Sequence, residues 1–565
     1  MADTTPLDST YDQLPSSDSA EFSTEPPSEA ALSAADTETP SETSEVKRVF
    51  YFLVMAQILV YAEAGAVPAL LPDFTAAFQL SFKMQGFLGG IVYIGISFGA
   101  PLAGYIFQKI NSKRVLMGAL ATNAVFVMFF AMTPESWSYS LLACRFGMGC
   151  TQSFLAIFTP VWVDVFAKKV GSSQQTQWFS WLQASTPVGI MLGYLLGYIA
   201  VWFKKNEEGG NEECFGDRLD CWRLPFLAQA AMTIPLCMRL AFISRRHLNI
   251  HMVVPSTGRS ASRSHHSPSM GTDEYNQTLE ASEGALTGEG LSRVRADSAY
   301  LYGAQAAQER SWSKTFSAIW GITSNVTFSS TVLALSSLYF VVTSVQFWAT
   351  DYLINGPQKY DKYIVMLCFI VTSATGPIAG VIFGGYLADK IGGYRGSPEQ
   401  RFRCVSLVFF FALIANVFAF SATYWPGGGM WFVMGCLWFL LYFGGACLPP
   451  LTGIFIDAVP NRDKALGSSM SQMSFNFLGY FLSPVLAGGL MGRFSNEFES
   501  CKKYTIPGTC PEALEWGFRA SLFGSAVALF FLIILWFHML SQTHFWTRHE
   551  EQETELATES LLPSS

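Results

Sequence analysis

Twelve apolar stretches alternate with short polar segments along the chain. A run of roughly 18 or more apolar residues is long enough to cross a bilayer as a helix, and a helix satisfies its own backbone where no water can. The first six runs fall near 49–71, 82–108, 114–132, 137–167, 177–203 and 222–243. A polar, Ser-rich break follows, and six more fall near 325–354, 362–388, 402–423, 428–457, 464–490 and 515–540. The pattern predicts an all-α polytopic membrane protein with 12 transmembrane helices as two six-helix halves. The first run begins behind a long polar tail, too deep for a cleavable signal peptide, so it is expected to be retained.

The polar segments set the organisation. Residues 1–46 are rich in Ser, Thr, Pro, Asp and Glu and read as a disordered acidic tail. Residues 47–243 form an N-terminal half, 244–322 a linker, 323–542 a C-terminal half and 543–565 a second tail. Basic residues mark the cytoplasmic side of a polytopic protein. Lys47, Arg48, Lys109, Lys113, Arg114, Lys168, Lys169, Arg245, Arg246, Lys390, Arg395, Arg401, Arg403, Arg462 and Lys464 all fall on one side if both tails and the linker are cytoplasmic.

Composition agrees. The 565 residues are 50% hydrophobic and 14% charged, against about 25% charged in soluble domains. The net charge of −8 says little of partners, since much of the acid lies in the tails. Four of the 11 cysteines, Cys214, Cys221, Cys501 and Cys510, sit in the two largest loops of the opposite side. Pairs within one exposed loop fit disulfides in an oxidising compartment.

A repeated loop motif relates the halves. After the eighth run the chain reads GGYLADKIGGYRG, where Gly385, Asp389, Lys390 and Gly392 match the G-x-x-x-D-[RK]-x-G motif of the major facilitator superfamily. The matching place in the first half, GYIFQKINSKR, keeps Gly104 and Lys109 but has Gln108 for the Asp and Asn111 for the Gly. The Asp is expected to cap or pair with a helix end across the halves, and the Gly to allow a tight turn. These residues resemble the cytoplasmic gate of a major facilitator fold, whose halves repeat about an axis along the membrane normal. Gly189, Gly193 and Gly197, and likewise Gly376, Gly380 and Gly384, have the spacing that lets helices approach closely.

One residue breaks the apolar pattern of the first run, Glu63 in LVYAEAGAVPALLPDF. An ionisable group at that depth is costly unless paired, neutralised or wetted, and marks a functional position. Arg145 in the fourth run is the natural counter-charge, because a guanidinium keeps its proton. The expectation is a charged centre of Glu63 and Arg145 that couples protons or substrate to opening. A structural hydrogen bond of a protonated Glu63 is the plainer alternative. Gln152, Gln346, Trp348 and Asn476 are candidates to line a cavity or to bond helix to helix. Asp164, Asp351 and Asp457 lie near run ends, where exposure to water accounts for them.

The chain has no P-loop, no clustered metal ligands and no Ser/His/Asp set on one face. No enzyme, no cofactor and no nucleic-acid partner is expected.

A closer resemblance narrows the class. YAEAGAVPALLPDF resembles the first helix of the Spinster-like branch of the superfamily, with Glu63 on the acidic position and Leu71, Pro72 and Asp73 on its end. Ala64 stands where the usual Arg would be, and Gln152 where the branch has an acid. Arg145, Gly149 and Pro160 match the fourth helix, VQFWATDYL resembles the seventh, and VPNRDKALG the loop after the tenth. The resemblance implies a secondary transporter, proton-coupled or proton-sensitive, that moves lysophospholipids or sphingoid phosphates, often in lysosomes. A carrier of a sugar or organic anion, or a transceptor without net transport, are the alternatives. Tyr11 to Leu14 (YDQL) matches a tyrosine-based sorting signal for an adaptor, and Leu561 with Leu562 forms a loose dileucine signal. Lysosomal or endosomal membrane and cell surface stay equally open.

Overall fold

In the computed structural model, residues 40–170, 172–206, 213–214, 219–249, 312–393, 397–424, 429–460 and 463–560 are described. Twelve helices in them are long and apolar enough to cross a membrane. They are α1 Thr43–Ala69, α2 Phe82–Phe107, α3 Ser112–Ala131, α4 Ser138–Ala167, α5 Gln177–Phe203 and α6 Cys221–Phe242, then α7 Val326–Asn355, α8 Lys362–Lys390, α9 Pro398–Tyr424, α10 Gly429–Asp457, α11 Leu466–Glu497 and α12 Pro511–Thr543. A two-stranded hairpin, β1 Glu213–Cys214 and β2 Leu219–Asp220, lies between α5 and α6.

Local chemistry sets the helix starts. The Ser81 hydroxyl accepts from the Met84 amide at 3.4 Å before α2, and Asp361 does the same for Tyr363 and Ile364 at the matching start of α8. Asn325 caps α7 through Thr327 and Phe328. Each cap satisfies backbone N–H groups that the first helical turn leaves without a partner.

The two halves use the same pairings. α1 packs on α5, α2 on α4 and α3 on α6, and in the second half α7 packs on α11, α8 on α10 and α9 on α12. Small residues make the closest of these. A Cβ at Gly65 or Gly193 would collide with the backbone of the facing helix, at Ile190 and Ala62 respectively. Gly380 and Gly384 meet Tyr442 and Ala446 of α10 in the same way. Without a hydrophobic gain between helices in lipid, such close backbone contact is what holds them.

The bundle has two unlike ends. The basic end carries Lys109, Lys113, Lys390 and Arg401; the disulfide end carries the Cys501–Cys510 bond. The described residues form three apolar cores. One, at the disulfide end, runs through both halves, from Leu70 and Phe74 to Phe369 and Phe518. The other two lie towards the basic end, one in each half, around Trp162 and Phe166 and around Leu335 and Leu532. The halves are therefore joined at the disulfide end and packed separately at the basic end.

The segment boundaries differ from expectation in three places. Helix begins at Pro40, so residues 40–46 of the expected acidic tail are helical. The expected linker is ordered at both ends. Residues 245–249 fold back on the first half with His247 and Leu248 buried, and Trp312–Thr323 is an amphipathic helix. The last helix continues to Ser560, through a Glu-, Ala- and Thr-containing stretch of the expected tail. Good helix formers next to an established helix extend it at little cost, because nucleation is already done. Tyr11, Leu14, Leu561 and Leu562 lie outside the described residues.

Candidate substrate and coupling site

Arg145, Gly149 and Gln152 recur at i, i+4 and i+7 on one face of α4. That face meets α1 where Glu63 stands. Arg145 Nη1 forms an ion pair with Glu63 Oε2, and both side chains are buried, at 2% and 0% exposure. Gln152 Nε2 donates to Glu63 Oε1 at 2.6 Å and to the Val60 carbonyl at 3.3 Å. Arg145 Nε donates to the Leu88 carbonyl of α2 at 3.2 Å. Gly149 admits α2 at this point, since a Cβ there would strike the Val92 carbonyl. The centre is thus a charge-neutral knot tying α1, α2 and α4. A second polar set continues along α1, where Thr159 donates to Gln57 at 3.2 Å and Gln57 to Thr186 at 3.1 Å.

The other cavity candidates are dispersed. Trp348 is fully buried on α7 against Phe347, with its indole N–H unbonded. Asn476 is buried in a π-helical segment, Phe475–Phe481, that interrupts α11. Gln346 is half-buried, and its carbonyl accepts from the Tyr194 hydroxyl of α5. Trp348 and Asn476 lie within packed helix interfaces in this conformation.

Tyrosines that the sequence did not single out stand between the halves instead. Tyr93 of α2 stacks on Tyr480 of α11, ring centroids 4.9 Å apart. Tyr339 of α7 lies 5.0 Å from Tyr480 and 5.1 Å from Phe475. Tyr61 of α1 is close enough to interact electrostatically with Tyr93 and Tyr480. All four are partly exposed. In a chain with 21 tyrosines nothing in spacing distinguishes these four. Tyr480 lies within the π segment Phe475–Phe481, and π segments inside α-helices are frequent at functional sites.

At the disulfide end the halves are closed. Lys362 Nζ is 2.7 Å from Asp73 Oδ2, linking the start of α8 to the short helix Leu71–Phe78 after α1. Tyr363 donates to the Val201 carbonyl at 3.3 Å. Gln85 Nε2 donates to Leu80 O at 3.1 Å and to Gly508 O at 3.2 Å, clasping the loop closed by Cys501 and Cys510 to α2. Gly508 has φ +76°, and a Cβ there would strike Gln85 and Leu80. Cys221 is also disulfide-bonded; the side chain of Cys214, its expected partner, lies outside the description. Gly86 and Gly488 bring α2 and α11 together at this end, against Pro484 and Phe82.

At the basic end the gate motif residues are apart. Gly392 has φ +103° and Gly393 +72°, so the turn after α8 does need glycine. Asp389 and Lys390 are exposed on the last turn of α8. Among the described residues the expected contact of Asp389 across the halves is not formed, and the apolar cores at this end are separate, one in each half. In the first copy Asn111 caps α3, accepting from Lys113 N at 3.0 Å, and Lys113 Nζ donates at 2.6 Å to the Ala241 and Ile243 carbonyls ending α6. Asn111 therefore serves as a helix cap where the second copy has glycine. Gly104 meets nothing within 4 Å, Lys109 lies over the Tyr105 ring, and the Gln108 side chain lies outside the description. Asp457 pairs with Arg401 at 2.9 Å, and Asp164 is exposed. Asp351, expected to be wet near a helix end, is instead buried at 4% exposure, because the last turns of α7 are themselves packed inside the bundle, with Thr350, Tyr352 and Leu353 buried beside it.

Among the described residues no group of His, Cys, Asp and Glu could hold a metal ion. What the geometry offers is a closed end, an open end and a buried charged knot between them, the parts of a membrane transporter. The chain belongs to the Major Facilitator Superfamily, whose sequence model matches residues 53–484, and it is accordingly a membrane transporter rather than an enzyme. Within that class it is similar to protein spinster homolog 3 of Danio rerio, 22% identical over 554 residues, covering 94% of this chain and 91% of the relative. It is also similar to the sphingosine-1-phosphate transporter SPNS2 of Danio rerio, 27% identical over 150 residues, covering 26% of this chain and 29% of that one. Several of the curated relatives, that one included, are matched over less than a third of their length. Among solved structures, a bacterial homologue of the human lysosomal transporter Spinster, inward-facing and unoccupied, superimposes with a TM-score of 0.64 at 14% identity, over 89% of this chain and 99% of that one. That likeness establishes the fold.

Proposed function

We propose that the protein is a proton-coupled, alternating-access carrier of an amphiphilic lipid, a lysophospholipid or sphingolipid-like molecule. The observation that carries the reading is the buried Glu63–Arg145 pair set in a bundle closed at one end and parted at the other. A fully buried carboxylate in a membrane span is costly and points to function. Protonation of Glu63 removes the charge opposing Arg145, frees α4 from α1 and biases the halves toward the other opening. The tyrosine group at the cleft supports an amphiphile: ring faces take the apolar part and the phenol hydroxyls the polar part. The basic loops support a cytoplasmic setting for the parted end, in an endolysosomal or plasma membrane, and the disulfide supports an oxidising side opposite.

The test is flux in proteoliposomes loaded with labelled lysophosphatidylcholine under an inward-acid gradient, for wild type and Glu63→Gln. Flux that follows the gradient in the wild type and loses pH dependence in the variant is the expected result. Gradient-driven flux unchanged in Glu63→Gln refutes the coupling role. A folded wild type that moves a sugar or organic anion but no lipid refutes the substrate class.

A further inference from the structure

Asp351 is a buried carboxylate with one hydrogen bond, from Asn355 Nδ2 to Oδ1 at 2.7 Å. Among the described residues no basic nitrogen lies within ion-pair distance of it. Among the described residues Lys362 is the basic group that reaches it electrostatically, and Lys362 is engaged elsewhere, 2.7 Å from Asp73. Asp351 and Lys362 belong to the same half; Asp73 belongs to the other. Two acids thus compete for one ammonium, and only one of the two pairings joins the halves.

We propose that Asp351 is a second protonatable site, which sets the latch between Asp73 and Lys362. While Asp351 is neutral, Lys362 stays on Asp73 and the disulfide end is shut. Once Asp351 is ionised it draws the same ammonium, the inter-half pair is lost, and the disulfide end opens. The ammonium faces one carboxylate in each state; when the proton leaves Asp351 for the aqueous side the three groups carry one net negative charge, which rests on Asp73 and is solvated as the disulfide end opens. A buried carboxylate beside a mobile counter-charge is the arrangement a proton relay in a membrane protein needs, and exchange of one cation between two acids gives a two-state element that pH can bias.

The groups around Asp351 favour this assignment. From α8 Lys362 reaches it electrostatically, and that lysine is paired with Asp73 of the short helix after α1. From α12 the charged groups are Glu515 and Arg519, which pair with each other at 2.5 Å beside Tyr352. From α5 Tyr194 is held by the Gln346 carbonyl. Lys362 is the basic group left to answer a change at Asp351. The inference rests on the alternating-access reading, and it is independent of the substrate and of Glu63.

The experiment is hydrogen–deuterium exchange of the full chain in nanodiscs without substrate, from pH 5 to 8, corrected for intrinsic rates. Peptides covering 194–203 and 360–369 report the disulfide end. In the wild type their protection is expected to fall as pH rises. Asp351→Asn is expected to abolish the transition and stay protected throughout, Asp351→Glu to restore it, and Asp73→Asn to exchange rapidly at every pH. A transition that survives in Asp351→Asn overturns the proposal, as does a wild type with no transition. Should Asp351→Asn not fold, Lys362→Met reads the same switch: loss of the transition with rapid exchange supports it, and a retained transition overturns it. Failure of the lipid-flux test with this transition intact removes the proposed substrate and leaves the latch.

Discussion

The Glu63–Arg145 pair yields an asymmetric prediction. Removing one partner of a buried ion pair costs about 3–5 kcal/mol, because the survivor is left uncompensated. The two survivors differ chemically. Glu63→Gln keeps the shape and the bond from Gln152 but leaves the guanidinium of Arg145 with the Leu88 carbonyl. A guanidinium does not shed its proton, so this penalty is the same at every accessible pH. Arg145→Met leaves a carboxyl, which escapes by taking up a proton. From an ordinary Glu pKa of about 4.3 in the unfolded chain, at about 1.4 kcal/mol per unit, that uptake costs about 4 kcal/mol at pH ~7.3 and about 1.4 kcal/mol at pH ~5.3. The folded variant then holds a proton that its unfolded chain has released, so its stability falls as pH rises. Against the wild-type resting state, in which the pair is ionised, Arg145→Met recovers about 2.7 kcal/mol on that acidification, and Glu63→Gln recovers nothing. Thermal unfolding in nanodiscs, followed by the fluorescence of the 15 tryptophans, measures this. An Arg145→Met midpoint that keeps its distance from wild type at both pH values refutes a buried, compensated pair.

Two further outcomes follow from the packing. Gly193→Leu drives a side chain into the α1 backbone at Ala62 and Ala66 and is expected to cost about 1–3 kcal/mol or more. Gly435→Leu, where nothing lies within 4 Å, is the control; equal losses in thermal unfolding sink the close-packing account. Cys501→Ser opens a loop of sequence separation 9, and loop-closure entropy puts the loss at about 2.6 kcal/mol. It is expected to raise hydrogen exchange at 80–86 through the Gln85–Gly508 clasp, and unchanged exchange there refutes that coupling.

Much of this protein was settled by its sequence. Twelve apolar runs, their six-plus-six grouping and the repeated loop motif determined the fold, because lipid admits few alternatives to a helix and each helix writes its length into the chain. The partnership of Glu63 and Arg145 was legible for a related reason. Charge is so costly in lipid that two buried ions of opposite sign in one half must meet. The extension of helix into the expected tails and linker was hidden, since polar helical and polar disordered segments share a composition. What only the tertiary structure decided is everything that depends on contact between the halves. Tyr61, Tyr93, Tyr339 and Tyr480 come from four helices in two halves of the chain and look like any aromatic facing lipid until the helices are placed. Asp73 stood out in the sequence only as the end of the first-helix match and Lys362 not at all, yet they face each other across the closed end. Asp351 read as exposed, because a helix terminus near a loop is usually wet; the depth of α7 in the bundle buries it. A sequence records what each helix needs from its solvent, and the choice of partners is made by the assembled bundle.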